Sequence, residues 1–281
     1  MSCRYDFLEK RLRLLEDWFA DKQGAVIAFS GGIDSTLVAA IAAKALGSGA
    51  VAITIKTEFV GEEDLEMARR SAWEAGIRHE ILELGLPEEI LRNPRDRCYL
   101  CKSAIMKELK GAAERLRVGL VLDGTNADDI RSNRPGIRAL REAGIRSPLA
   151  EVGVSKREAV EISVMIGLNT EKGSNACLAT RFPFGHRFTK EEGRMVEFGE
   201  RFLRDKGFKT VRVRVTDLSA KIEVAPEEII KALDPGHRRE IVEEFKRIRF
   251  RSVSLDLEGY RSGSMDYHEH AAFETERPVH R

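Results

Sequence analysis

Long apolar runs are missing from this chain. No stretch approaches the ~20 consecutive apolar residues that a bilayer-spanning helix requires, and the opening Met1-Ser-Cys-Arg-Tyr-Asp has no apolar core of a secretory leader. Both absences argue against a membrane-embedded or exported protein, and the expectation is a cytoplasmic one. A net charge of one sign is missing too. The 47 Lys+Arg balance 46 Asp+Glu, leaving +1, so bulk electrostatics supply neither a basic coat for nucleic acid nor a pull on acidic partners. Cysteine is sparse, four in 281 residues. Two of the four stand as Cys98-x-x-Cys101, which suits a metal or redox site better than a disulfide framework. Internal repeats and low-complexity segments are likewise absent. What remains is a chain 42% hydrophobic and 33% charged, long enough to bury the core of one large or two medium domains.

Apolar runs and amphipathic stretches alternate through the first two thirds. The pattern predicts strands at 25–29, 50–55, 78–84 and 118–122, and helices at 34–46, 62–76, 101–116 and 155–167. This βαβ rhythm predicts an α/β fold with a doubly wound parallel sheet, helices on both faces and a ligand at the carboxyl ends of the strands. After Phe188 the order changes to a helix (189–206), strands near 210–215 and 220–224, a helix (226–248) and a strand (252–257), a smaller C-terminal α+β module. The expected division is 1–170, 171–265 and a tail over 266–281. That tail is polar, holds His268, His270 and His280, and is expected to be disordered.

The first strand runs into Ser30-Gly31-Gly32-Ile33-Asp34-Ser35-Thr36 and then an Ala/Leu-rich helix. Two glycines admit positive φ and close backbone approach, while the hydroxyls of Ser30, Ser35 and Thr36 and the helix N-terminus add donors. The loop is a phosphate cradle. No Lys follows the second glycine, unlike the G-x-x-x-x-G-K-[ST] loop, and Asp34 occupies its middle. It resembles the PP-loop of ATP pyrophosphatases. The resemblance implies ATP and Mg²⁺ as cofactors, with Asp34 helping to hold the metal, and attack at the α-phosphate that leaves AMP on an acceptor oxygen. Thr54 to Thr57 and Gly124-Thr125-Asn126-Ala127-Asp128-Asp129 follow other strands of the same edge, and the second of these reads as a nucleotide-proximal loop, with a solvated turn as the alternative.

Cys98 and Cys101 open a helix between Arg97 and Lys102, a setting for reactive or metal-binding thiols. They supply half of a tetrahedral thiolate site. The third candidate is Cys177, in Gly173-Ser-Asn-Ala-Cys177-Leu-Ala-Thr180-Arg181-Phe-Pro-Phe-Gly185. Three thiolates in an ATP-using enzyme suggest a 4Fe-4S cluster with one iron left open, since zinc usually takes a fourth protein ligand. Arg212 and Arg214 alternate with valines and so project to one strand face, where their forks suit a mononucleotide phosphate. Ion pairing to Glu223 on a neighbouring strand is the alternative. Arg181 beside Cys177 could neutralise an adenylate or carboxylate.

Taken in order, SGGIDST, DRCYLCK, DGTNADD, RPGIRAL, SPLAE, ACLATRFPFG, VRVR, KIEV and LDLEGYRSGS resemble the LarE family of sulfur transferases over nearly the whole chain. Members adenylate a carboxylate of pyridinium-3,5-biscarboxylic acid mononucleotide and convert it to a thiocarboxylate of the nickel-pincer nucleotide used by lactate racemase. In one version of the sulfur step the cysteine matching Cys177 gives up its own sulfur and becomes dehydroalanine. In the other, three cysteines hold a cluster that carries a transferable sulfide, and the presence of Cys98 and Cys101 favours this version. The resemblance also implies acidic residues near the transfer site, matched by Glu200 and Glu223 as candidate metal ligands or proton carriers. It further implies a hexamer built as a trimer of dimers, and sulfide or a sulfur-donor system as a partner. A tRNA-thiolating enzyme shares the loop and the three cysteines, but the neutral charge and small last module give no extended basic surface for RNA. An ammonia-fed amide ligase has no need of the cysteines, and a non-catalytic nucleotide-binding Fe–S protein would bind ATP without releasing pyrophosphate.

Overall fold

The computed structural model describes residues 2–131, 135–171 and 176–261, with side chains from residue 4 onward. The expected tail at 266–281 lies outside the described residues. The chain forms two units: Met1–Ile90 with Pro94–Asn175, and Leu91–Asn93 with Ala176–Arg281.

Four parallel strands build the first unit: β1 (Ala25–Ala28), β2 (Ala50–Lys56), β3 (Arg78–Glu83) and β4 (Val121–Leu122), in the order β3-β2-β1-β4. Register is set by pairs such as Val26↔Val51 and Val26↔Val121. Because helices cover both faces, β1 is apolar throughout, as buried parallel strands are. Alternate side chains serve different cores. Ala25, Ile27, Ala50 and Ala52 pack with Leu15 and Phe19, with Leu37, Val38 and Ile41, and with Ala159 and Ile162. Those partners come from the helices Ser2–Phe19, Ile33–Leu46 and Lys156–Met165. Val26, Val51, Ile53 and Ile55 face Met106, Leu109, Ala112 and Ala113 of the helix Arg97–Arg115. The fold is the α/β architecture of the PP-loop class, parallel sheet and helices included.

Some elements differ from expectation. The helices Ser2–Phe19 and Pro135–Glu142 were not foreseen, and the strand expected over 118–122 shrinks to Val121–Leu122. In the second unit β5 (Val211–Thr216) and β6 (Ser219–Val224) form an antiparallel hairpin, and β7 (Ser252–Leu255) adds in parallel to β6. The single helix expected over 226–248 is broken at Asp234-Pro235. Proline drives its predecessor out of the helical region, and the Asp234 carboxylate then caps the new helix by accepting from Gly236 N (2.9 Å) and His237 N (3.2 Å). Among the described residues no helix is long and apolar enough to cross a membrane.

Candidate functional site

In the first unit the cradle is held by its own hydroxyls. Ser35 Oγ and Thr36 Oγ1 both donate to Gly32 O, at 3.0 and 2.8 Å, and Ser71 Oγ donates to Gly31 O at 3.0 Å. Gly31 sits at φ +74°, and a Cβ there would lie 2.7 Å from Ala68 Cα, so neither conformation nor space admits a side chain. Gly124, just after β4, comes as close on the other side: its Cβ would lie 2.6 Å from Ser35 N. The Gly124 loop is fixed from below by Asp123, whose carboxylate accepts from Thr125 N (3.2 Å), Thr125 Oγ1 (2.5 Å) and Ser147 Oγ (2.6 Å). Asn126 turns its Oδ1 to Asp128 N and Asp129 N (2.9 and 3.1 Å) and its amide to Asp34 Oδ2 (3.4 Å). On the neighbouring strand Thr54 Oγ1 stands 2.8 Å from both Phe29 O and His79 Nε2.

Asp34 is the electrostatic focus. Its Oδ2 receives Lys156 Nζ at 2.6 Å, while Oδ1 is buried with no hydrogen-bond partner among the described residues. Burial pushes the Asp34 carboxyl above its usual range, against the lowering effect of Lys156, and the neighbouring Asp129 charge adds to the rise. A buried carboxylate oxygen without a donor, beside further carboxylates, fits a divalent cation. Lys156 escaped the sequence reading. Its signal was the Ser155-x-x-Glu158 capping box, which fixes the helix start beside it.

Cys98 and Cys101 lie in the first two turns of the helix Arg97–Arg115, Cys98 exposed and Cys101 half-buried. An i, i+3 pair shares one helix face with Cβ atoms roughly 5–6 Å apart, a donor set that fits two corners of a cluster. Tyr99 between them donates to Glu142 Oε2 at 2.5 Å, Arg138 Nε reaches Glu142 Oε1 at 2.9 Å, and the Arg138 guanidinium lies 4.2 Å over the Tyr99 ring. This triangle ties the cysteine turn to the helix Pro135–Glu142. Among the described residues no three His, Cys, Asp or Glu side chains gather as a metal centre.

In the second unit Cys177 opens the short turn Leu178–Arg181 and is half-buried. Its carbonyl accepts from Thr180 Oγ1 (2.8 Å) and Arg181 Nη1 (3.1 Å), and Arg181 also donates to Ala176 O. Arg181, 2% exposed, forms a two-pronged pair with Glu200 at 2.9 and 3.0 Å. Val213 N donates to the same carboxylate at 3.0 Å. Burial opposes the Glu200 charge, yet Arg181 and the Val213 N–H hold its carboxyl below the usual range. Glu200 is thus built as an arginine anchor, with both oxygens taken. Arg214 donates to Glu223 Oε2 (3.1 Å) and Thr180 O (2.8 Å), which is the ion pairing left open from the sequence. Arg212 bonds Val211 O (2.7 Å) and lies 5.3 Å over the Tyr260 ring. Burial, then repulsion from Arg181, lowers its pKa. Arg181, Arg212 and Arg214 against Glu200 and Glu223 leave one positive charge in excess, an environment for an anion. Asn93, at φ +52°, fastens the loop by donating to the carbonyls of Phe182 (3.1 Å) and Pro183 (2.9 Å). Nothing in the sequence had singled it out.

The sheet, cradle and Asp34 define an ATP-utilising PP-loop enzyme, and a family model described as asparagine synthase matches residues 22–129. A Lactiplantibacillus plantarum protein named pyridinium-3,5-bisthiocarboxylic acid mononucleotide synthase is 34% identical over 250 residues, covering 88% of this chain and 90% of the relative. The chain belongs to that protein's family, the LarE family of PP-loop proteins. Uncharacterized proteins of Synechocystis sp. (42% identical, 92% of this chain and 98% of the relative) and Methanocaldococcus jannaschii (33%, 91% and 99%) are similar along their full lengths.

Proposed function

We propose that the protein is an ATP-dependent sulfur transferase that adenylates a carboxylate of pyridinium-3,5-biscarboxylic acid mononucleotide and replaces one of its oxygens with sulfur. The observation that carries this reading is the seat of Cys177, held at the head of a turn by the buried Arg181–Glu200 pair within an arginine-rich surround. In the first half-reaction the cradle Ser30–Thr36 grips the β,γ-phosphates, with Gly124, Thr125, Asn126 and Asp128 at its side, and Asp34 would hold Mg²⁺. A substrate carboxylate oxygen bonds to the α-phosphorus and pyrophosphate leaves. In the second, a sulfur nucleophile bonds to the acyl carbon and AMP departs with the C–O bonding pair. Arg212 offers the substrate phosphate a partly buried cation, and Arg181 and Arg214 keep the Cys177 turn rigid.

Cys98, Cys101 and Cys177 would hold a 4Fe-4S cluster, which when bound supplies the transferable sulfide. The i, i+3 thiol pair supports this version over donation of the Cys177 sulfur itself. The same reading carries a cytoplasmic homo-oligomer fed by sulfide or a donor system. Iron and acid-labile sulfide are measured in protein purified without oxygen, for the parent and for Cys98→Ala, Cys101→Ala and Cys177→Ala. About four irons per chain, lost in each variant, support the cluster. No iron after reconstitution, with Cys177 converted to dehydroalanine on turnover, supports the sacrificial route instead.

A further inference from the structure

The stretch Asp256-Leu257-Glu258-Gly259-Tyr260 leads out of β7, and the reaction described above uses none of it. Its local structure is nevertheless tightly specified. Asp256 N donates to Ile222 O (2.9 Å), Gly259 N to Asp256 O (3.2 Å) and Tyr260 N to Val224 O (2.7 Å). The Asp256 carboxylate accepts from Glu258 N (2.9 Å) and from Lys221 Nζ on β6 (2.7 Å). Gly259 turns the chain at φ +71°, where a Cβ would lie 2.9 Å from Val224 O, so conformation and space both demand glycine. The turn delivers one side chain to β5. Tyr260 is half-buried, and the Arg212 guanidinium lies 5.3 Å over its ring.

Arg181, Arg214 and Arg212 are held in different ways. Glu200 grips Arg181 through two N–H groups and Glu223 grips Arg214, so both spend donors on a carboxylate. Beneath Arg212 lies an aromatic face. A ring attracts a cation through its quadrupole and takes none of the guanidinium N–H groups, whereas a carboxylate in the same place would neutralise the charge and compete with an incoming anion. Burial, then repulsion from Arg181, works against the Arg212 charge, and the ring face offsets part of that cost. We infer that Tyr260 is a positioning residue for substrate binding: its ring orders the Arg212 guanidinium before the mononucleotide arrives, without occupying the N–H fork that meets the phosphate. This rests on the reading of Arg212 as the cation for the substrate phosphate and adds the residue that sets its direction. Ordering a long side chain on binding costs rotamer entropy, and a guanidinium already fixed avoids that cost. The role requires the ring and not the phenol hydroxyl.

The test is pyrophosphate release by the full chain with ATP, Mg²⁺ and varied pyridinium-3,5-biscarboxylic acid mononucleotide. It compares the parent with Tyr260→Leu, Tyr260→Phe, Arg212→Met and the double variant Tyr260→Leu with Arg212→Met, alongside melting curves. Loss of a cation–π contact predicts an apparent KM for the mononucleotide higher by about 3- to 30-fold in Tyr260→Leu, with kcat, the KM for ATP and the melting temperature nearly unchanged. Tyr260→Phe restores most of the affinity. In the Arg212→Met background the Tyr260→Leu change adds little, because the ring acts through that guanidinium. A parent-like KM in Tyr260→Leu overturns the inference, as does an equal rise with and without Arg212, or a rise that merely follows a fall in melting temperature. A parent-like KM in Arg212→Met overturns the reading of Arg212 as the phosphate cation, and a parent that releases no pyrophosphate overturns the proposed reaction; either result removes this inference as well.

Discussion

Replacing Glu200 by Gln tests whether the second unit is built to hold Cys177. The carboxylate accepts from Arg181 Nε and Nη2 and from Val213 N, all between 2.9 and 3.0 Å, with Arg204 further out at 3.7 Å. The amide keeps part of the hydrogen bonding but removes the charge, stranding a guanidinium that is 2% exposed. Breaking a buried pair from one side costs about 3–5 kcal/mol. For a chain of this size that corresponds to a melting temperature lower by on the order of 10 °C. The double variant Arg181→Met with Glu200→Leu strands no charge and should be less destabilised than either single change. The pH dependence follows from the direction of the shift. Glu200 is held below the ordinary 4.5, so its stabilisation is present above that value and is lost as the pH falls through the lower folded value. Glu200→Gln should therefore flatten the acid limb of the stability curve. Denaturant titration between acid and neutral pH reads all of this, and separate assays read pyrophosphate release and thiocarboxylate formation. Because Arg181 grips the Ala176 and Cys177 carbonyls, thiocarboxylate formation should fall far more than pyrophosphate release. A stability loss under about 1 kcal/mol, or equal loss of both activities, would refute the reasoning.

Asp34→Asn removes a carboxylate whose ionisation burial opposes. With the folded pKa raised, ionising Asp34 costs stability as pH climbs past its unfolded value, so the variant should melt no lower than the parent at neutral pH while releasing no pyrophosphate. Gly124→Ala drives a methyl to within 2.6 Å of Ser35 N, so the apparent KM for ATP should rise by about tenfold or more; a KM like the parent's would show that the close approach is slack. Tyr99→Phe removes the 2.5 Å bond to Glu142 but keeps the ring under Arg138. Alkylation of Cys98 should accelerate in Tyr99→Ala and change little in Tyr99→Phe, and equal rates in parent and both variants would show that the triangle does not restrain the thiol turn.

The sheet and cradle were legible because buried parallel strands are continuous apolar runs and Ser30-Gly31-Gly32 punctuates the first of them. The helix Ser2–Phe19 was legible in principle: Leu8, Leu15 and Phe19 recur at helical spacing and are buried. The break at Asp234-Pro235 likewise stood in the sequence. Lys156, Asn93 and the Arg181–Glu200 pair were not accessible in the same way. Each depends on partners distant in the chain, 122 residues away for Lys156 and Asp34, and local pattern carries no record of such meetings. The Arg212–Arg214 strand illustrates the limit: alternation gave a shared face, and only the diagonal from Arg214 to Glu223 showed that one guanidinium is already engaged.

The most direct test of the central claim is a single-turnover reaction of oxygen-free protein with ATP, Mg²⁺, sulfide and pyridinium-3,5-biscarboxylic acid mononucleotide, analysed by mass spectrometry for AMP, pyrophosphate and the nucleotide product. The account predicts AMP and pyrophosphate in step with a thiocarboxylate in which one oxygen has become sulfur. It also predicts that Cys177→Ala still forms AMP and pyrophosphate but no sulfur product. ADP in place of AMP, or full sulfur transfer by Cys177→Ala, would contradict it.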